Sequence, residues 1–236
     1  MKLRIVAIPV IVALVSASAF AEDFPAPQVL VKKYMDAAGG KAAMAKVKSR
    51  IDKGKLTLPD MGMEATYTAY TQPPNSLNIS DFSGQGLVKN GTTDGTSWTI
   101  NPFQGNTKNA GARPAEIFPF ANLDAIAGSA KTIAEEEVGG KPAFKVEFQL
   151  PNGGPLTVFF DKESGLVAAS ETKNADGVVS RTTIGDYKKV GDLQIPHSIT
   201  QEGGAFKLVI TSESVELNAE IPAGTFDLPE EIKTLP

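Results

Sequence analysis

Between residues 51 and 217 apolar side chains recur at every second position, in short runs separated by turn residues. Period-two alternation predicts β-strands with one apolar and one polar face. Leu56 and Leu58 share a face; Ala65, Tyr67 and Ala69 follow, then Leu77 and Ile79 after Pro73-Pro74-Asn75. Gly84, Asn90-Gly91 and Asp94-Gly95 predict tight turns before Trp98 and Ile100. A second block carries Phe144, Val146, Phe148 and Leu150, then Leu156, Val158 and Phe160, with Asn152-Gly153-Gly154 between them. Polar turns at 161–165 and 175–177 lead into strands at 166–173 and 178–187. A last hairpin joins 195–201 to 206–210 across Gly203-Gly204, and Val215 and Leu217 precede an irregular tail. The pattern predicts about eleven or twelve strands in one domain. Most neighbouring strands lack a crossover helix between them, so the sheet is expected to be antiparallel.

Two segments break the alternation. Val31, Tyr34, Met35 and Ala38 fall at helical spacing, Gly39-Gly40 ends that helix, and an alanine-rich second helix follows, giving helices over about 27–48. Residues 101–128 form the other interruption. Their first half, through Arg113-Pro114, reads as loop; their second half concentrates Ile117, Phe118, Phe120, Leu123 and Ile126 on a broken helical stretch. An antiparallel sheet with one apolar face needs a cover, which a second sheet, helices or an apolar ligand can supply. The apolar stretch within 101–128 reads as part of that cover, a lid, with completion of a dry core as the alternative.

Ahead of the domain, Lys2 and Arg4, an apolar run over 5–15, and Ala19-Phe20-Ala21 read as a secretory signal peptide cleaved after Ala21. The run is shorter than the ~20 apolar residues of a spanning helix, and no other stretch is apolar enough, so an integral membrane protein is not expected. Export through a leader of this kind predicts a periplasmic protein. Without Lys2 and Arg4 the formal charge is two units more negative than −4, which gives no footprint for nucleic acid. The local basic run of Lys41, Lys46, Lys48, Arg50, Lys53 and Lys55 reads as a solvated helix face and strand edge, with docking on a head group or acidic partner as the alternative. There is no cysteine. Disulfides, thiolate metal sites and cysteine nucleophiles are therefore excluded, and the remaining domain, 22–236, rests on its core, which at this size buries about 70 % of the unfolded surface.

Catalytic chemistry has little to work with. His197, on an expected strand after Ile195-Pro196, is the one histidine, and no serine sits in a nucleophile-elbow context. Zinc would need carboxylates alone around it, and no calcium-loop pattern occurs, so no metal and no cofactor are expected. Glu135-Glu136-Glu137 and the Asp161/Glu163 pair lie at strand or turn positions where solvation explains them.

Several short motifs share one likeness. Tyr34-Met35-Asp36-Ala37-Ala38-Gly39-Gly40-Lys41-Ala42-Ala43 resembles the opening helix of periplasmic proteins related to LolA, the lipoprotein-sorting carriers. Asp94-Gly95 to Trp98 with Asn101-Pro102 resembles a hairpin of that group, as do Phe159-Phe160-Asp161 with Gly165-Leu166, and Gly185-Asp186-Tyr187 with Pro196. The resemblance implies a mainly β (α+β) fold: a single incomplete antiparallel β-barrel whose concave face is covered by N-terminal helices and a central helical lid. It also implies a non-enzymatic carrier for an apolar ligand such as an acyl chain, lipid or lipoprotein, with an envelope interaction or sensor module as the alternative. A lid-locking arginine belongs to the same picture, with Arg113 and Arg50 as candidates. Candidate cavity or lid residues are Leu56, Tyr67, Trp98, Ile117, Phe118, Phe120, Leu123, Phe144, Phe148 and Phe160. An acyl chain would be held by burial, at about 0.8 kcal/mol per CH₂.

Overall fold

The structure, a computed structural model, describes residues 24–151, 154–174, 176–203 and 206–235. The signal peptide expected over 1–21 lies outside the described residues, as do Asn152-Gly153, Ala175 and Gly204 of the expected turns. Among the described residues thirteen strands form one antiparallel sheet. Six precede the lid: β1 (Arg50–Leu58), β2 (Met63–Gln72), β3 (Asn75–Phe82), β4 (Gly86–Thr93), β5 (Thr96–Ile100) and β6 (Thr107–Ala110). Seven follow it: β7 (Lys131–Val138), β8 (Lys141–Gln149), β9 (Pro155–Asp161), β10 (Val167–Lys173), β11 (Val179–Val190), β12 (Leu193–Glu202) and β13 (Leu208–Leu217). Each set is a meander, and the two join where β1 pairs with β13, so the sheet runs from edge strand β6 to edge strand β7. It is open, as expected for an incomplete barrel.

The thirteen strands differ from the expected eleven or twelve at identifiable places. Thr107–Ala110 has no apolar alternation, because an edge strand exposed on both faces needs none, and it was expected to be loop. Val215 and Leu217 belong to β13 itself rather than to a segment beyond it. Asn90-Gly91 is not a turn but lies within β4. The glycine answers to packing instead: Gly91 pairs with Trp98 on β5, and a Cβ there would collide with the indole ring.

The two faces are covered differently. On the inner face of the β8–β12 half, Val146, Phe148, Val158, Phe160 and Ile195 meet Leu30, Val31, Tyr34 and Met35 of α1 (Pro27–Ala37) together with Leu123 and Ala127. The helical spacing of the α1 residues therefore matches the buried stripe. Gly39, at φ +112°, turns the chain where a side chain would collide with the Asp192 carbonyl, and the Gln194 amide donates to the Ala38 carbonyl at 3.0 Å, seating the end of α1 on the β11–β12 turn. The short helix α2 (Lys41–Met44) then adds Met44 to the core.

On the outer face of β3–β5, the C-terminal tail supplies the cover. Ile232, in α3 (Glu230–Lys233), is fully buried against Leu77 and Trp98, flanked by Phe226 and Leu228. The Thr93 hydroxyl donates to the Phe226 carbonyl and the Lys108 ammonium to the Leu235 carbonyl, each at 2.9 Å.

The outer face of β7–β11 uses charges instead. Phe159 is fully buried, with the Lys145 ammonium 5.0 Å and the Arg181 guanidinium 4.6 Å from its ring centre. Arg181 bonds both Glu136 and Glu171 at 2.9 Å, and Lys145 reaches Glu136 at 3.1 Å. Glu136 is thus built into a lattice, contrary to the solvated role expected of it. The cations neutralise the carboxylates while their stems and faces cover the ring.

These arrangements make two outcomes testable. Replacing Gly91 with alanine forces the Trp98 ring off its seat and should destabilise the protein by about 1–3 kcal/mol in denaturant unfolding; an unchanged midpoint would contradict the packing. The bonds from Arg181 and Lys145 hold the Glu136 carboxyl below its usual range despite partial burial. For Asp161, burial pushes upward, but the Ser164 amide and hydroxyl, with the Lys141 charge, outweigh it. Both groups have folded values below the unfolded ones, so their stabilisation is full above the ordinary carboxylate range and is lost as pH falls through it. Glu136→Gln should flatten the acid limb of a melting-temperature profile.

Candidate functional site

The strand register places Arg50, Asp52, Leu56 and Leu58 of β1 on the inner face, beside Tyr67, Ala69 and Thr71 of β2, Asn78 of β3, and Ile210 and Ser212 of β13. A cavity of about 440 Å³ occupies the middle of this face. Asn78 on β3 and Ser170 on β10 both border it. Six strand spacings separate those strands, about 29 Å in a flat sheet, so the sheet must curl round the cavity. Tyr34, Ala38 and Met44 close it on the helix side, and residues 116–120 close it above.

That cover is the lid expected from the sequence, although it is mostly irregular, with two single 3₁₀ turns at Leu123–Ala125 and Ala127–Ser129. Its apolar anchors are Ile117, Leu123 and Ala127, all buried. Phe120 meets Tyr34 edge-on at 6.4 Å between ring centres. The lid's polar ties include the Ala112 amide to the Gly95 carbonyl at 2.8 Å, the Ala115 amide to the Pro74 carbonyl at 2.9 Å, and an exposed Lys41–Asp124 ion pair at 2.7 Å. Arg113 is exposed.

Arg50 belongs inside, not on the solvated basic face expected of it. Its Nε and Nη2 donate to both oxygens of Asp52, two residues along the same strand, at 2.7 and 2.6 Å. The side chains retain 13 % and 10 % exposure, so this is a nearly desolvated bidentate pair. Ser212 also donates to Asp52, at 3.4 Å. Removing one partner of such a pair costs about 3–5 kcal/mol, because the other is left charged and buried. Close by, the Tyr67 hydroxyl donates to Asn78 Oδ1 at 3.1 Å.

A second cavity, of about 390 Å³, continues the inner face toward the η-turn after β1. Leu56, Leu58, Met63, Phe82, Val88 and Leu208 form its walls, Phe103 and Met61 stand exposed at its mouth, and no charged residue lines it. Phe103 rests edge-on against Phe82 at 6.0 Å. Tyr67 and Ile210 pack against this apolar cluster while lining the first cavity, so the two lie end to end.

The expected site residues divide into groups. Tyr67, Ile117, Phe118 and Phe120 line the first cavity and Leu56 the second. Leu123 and Phe148 sit in the core between lid, α1 and sheet. Phe144 and Phe160 border a small cavity of about 210 Å³ beneath the start of α1. Trp98 must be corrected: it lies on the outer face under the C-terminal tail, its indole N–H donating to Thr93 at 3.1 Å. Alternation sorts residues onto two faces without saying which is inner, and the tail that buries Trp98 has no strand pattern. Asp52, Asn78, Leu58, Phe82 and Ile210 were missed. The available signal was the i, i+2 row of Arg50, Asp52, Leu56 and Leu58, which puts a charge pair on an apolar face.

His197 is buried on β12, its Nδ1 donating to the Ile195 carbonyl at 2.9 Å. Among the described residues no group of three His, Cys, Asp or Glu side chains could hold a metal ion, and no helix is long and apolar enough to cross a membrane.

No protein-family model matches this chain, and no curated protein matches it in sequence. Solved structures do share its fold. A DUF1329 family protein from Desulfovibrio piger aligns with a TM-score of 0.60 at 9 % identity over 86 % of this chain and 98 % of its own. A domain named for outer membrane lipoprotein sorting, from Vibrio parahaemolyticus, gives 0.57 at 12 % identity over 85 % and 95 %. A LolA superfamily protein from Nitrosomonas europaea gives 0.54 at 10 % identity over 86 % and 98 %. The chain therefore has the LolA-like fold that its short motifs resembled, and at these identities the likeness shows the fold alone.

Burial round the cavity has a consequence in alkali. Desolvation pushes the Tyr34 and Tyr67 hydroxyls up to about 12, with the Asp52 charge adding to the effect at Tyr67, and it raises Tyr187 as well. Folded values above the unfolded ones mean that stability is full below about pH 10 and falls as pH rises toward them. Tyr67→Phe should shallow the alkaline limb of the melting profile; an identical slope would place that hydroxyl in water.

Proposed function

We propose that the chain is a periplasmic carrier that shelters an acyl chain, from a lipid or a lipoprotein, on the inner face of its open sheet. The observation that carries this reading is the pair of end-to-end cavities, one lidded and one apolar and open, on a single face. Binding is by burial rather than by catalysis. At about 25 cal/mol per Å² of apolar surface removed from water, the walls supplied by Leu56, Leu58, Phe82, Ile117 and Phe118 give a long chain ample driving force. The ligand is noncovalent and its release needs only that the lid lift.

The lid suits that task. An exposed ion pair such as Lys41–Asp124 contributes at most about 1 kcal/mol, and Ile117, Leu123 and Ala127 add apolar contact that a ligand can match. A ligand entering the cavity replaces the contacts that the lid gives up.

Native mass spectrometry of the full chain, purified from its exporting host, is the direct test. A stoichiometric adduct of lipid or lipidated peptide is expected, and Phe118→Ser combined with Phe120→Ser should weaken its retention about tenfold or more. A clean apo mass with no uptake of offered glycerides or lipopeptides would instead favour an envelope interaction module with an empty cavity.

A further inference from the structure

Among the described residues three charged side chains line the lidded cavity, Arg50, Asp52 and Glu116, and no lysine does. Arg50 is the one cation among them, and its fork is already filled by both oxygens of Asp52. We infer that the cavity selects acyl chains held on an uncharged ester or amide linkage and discriminates against free fatty acids. This rests on the carrier reading above and specifies its ligand.

The argument is one of charge placement. A fatty acid brought to Arg50 sets a second carboxylate beside Asp52, at a site where both protein groups keep little more than a tenth of their exposure. Like charges at that distance with little water between them repel strongly, and one would have to take up a proton. To use Arg50 the ligand would also have to break a bidentate pair whose abandoned partner stays buried. Glu116 at the lid adds a further negative charge. An ester or amide carries no charge into this field, and its carbonyl can accept from the Asn78 side-chain N–H, since the Tyr67 and Ser212 hydroxyls already donate within the wall. Asn78 lines the cavity and is held in place by the Tyr67 hydroxyl, which donates to its oxygen and leaves its NH₂ for a ligand. The second cavity, uncharged throughout, takes hydrocarbon whatever the head group. Selectivity therefore falls on Asp52, which occupies the one guanidinium lining the cavity among the described residues.

The test is displacement of phenyl-naphthylamine, an uncharged fluorescent probe, from the full chain at about pH 8, where a free acid in water is ionised. Oleic acid, monoolein and an N-oleoyl peptide serve as competitors. The glyceride and the acyl peptide should each displace the probe at least about tenfold more tightly than the acid, and the better of the two names the source of the chain. Asp52→Asn should raise the affinity for oleic acid relative to monoolein by about tenfold or more. The double variant Arg50→Gln with Asp52→Asn, which leaves no buried charge unpaired, should show no such gain. If the single variant does not fold, the wild type and the double variant still decide the matter. Equal affinity of wild type for acid and glyceride would overturn the inference and leave the carrier reading standing. Failure of every competitor, and of the probe itself, would remove both.

Discussion

Strands β6 and β7 follow one another in the chain yet form opposite edges of a thirteen-stranded sheet. Twelve strand spacings amount to about 58 Å if the sheet is flat. The connection, residues 111–130, would reach at most about 70 Å fully extended, and its turns shorten it well below that. The sheet has therefore to curl so that its edges approach, and the connection has to cross a face rather than pass round an end. The lid is thus a consequence of strand order: whatever residues join those edges must roof the inner face. Concentrating Ile117, Phe118, Phe120 and Leu123 there lets the obligatory crossing double as the cover for an apolar surface.

The same sheet solves three covering problems with three different materials. Helix α1 and the lid cover the inner face of one half, leaving a cavity where the strands of the two meanders meet. The C-terminal tail covers Trp98 and Leu77 on the outer face of the other half, with backbone carbonyls as its tethering points. Over Phe159, where no chain segment is at hand, charged side chains lie across the ring and neutralise each other. Only the first of these leaves space, and it is also the only one in which a charge pair faces inward. On the proposed reading, Arg50 and Asp52 at the floor of that space are what give the hollow a chemical preference.

Much of this was legible in the sequence. The alternation through Val146, Phe148, Val158 and Phe160 and the helical stripe at Val31, Tyr34, Met35 and Ala38 both correspond to buried faces, because each period is a direct image of a one-sided element. The crossing segment stood out as an apolar, broken helical stretch between two blocks of strands. What could not be read was which of two equivalent faces is the inner one. Trp98 looks like a cavity residue until the tail is seen to lie over it, and nothing local to β5 records that contact. Gly91 likewise carries the signature of a turn, and only the Trp98 ring opposite explains it. Arg50 was absorbed into a run of lysines because charge counting ignores direction. Asp52, two positions on, was the local clue that Arg50 turns inward.

The β1–β13 ladder has a bearing on the order of events in the life of the chain. Arg50 faces Leu217 and Thr57 faces Val209, so the strand that begins the sheet finds its second neighbour only when the last strand arrives. Each meander can zip up from local hairpins, but the seam between them waits for all the strands from β2 to β12, a pairing of the kind that slows folding. The cavity straddles that seam. Until β13 arrives the chain has two half-sheets, and the walls of the cavity are not yet together.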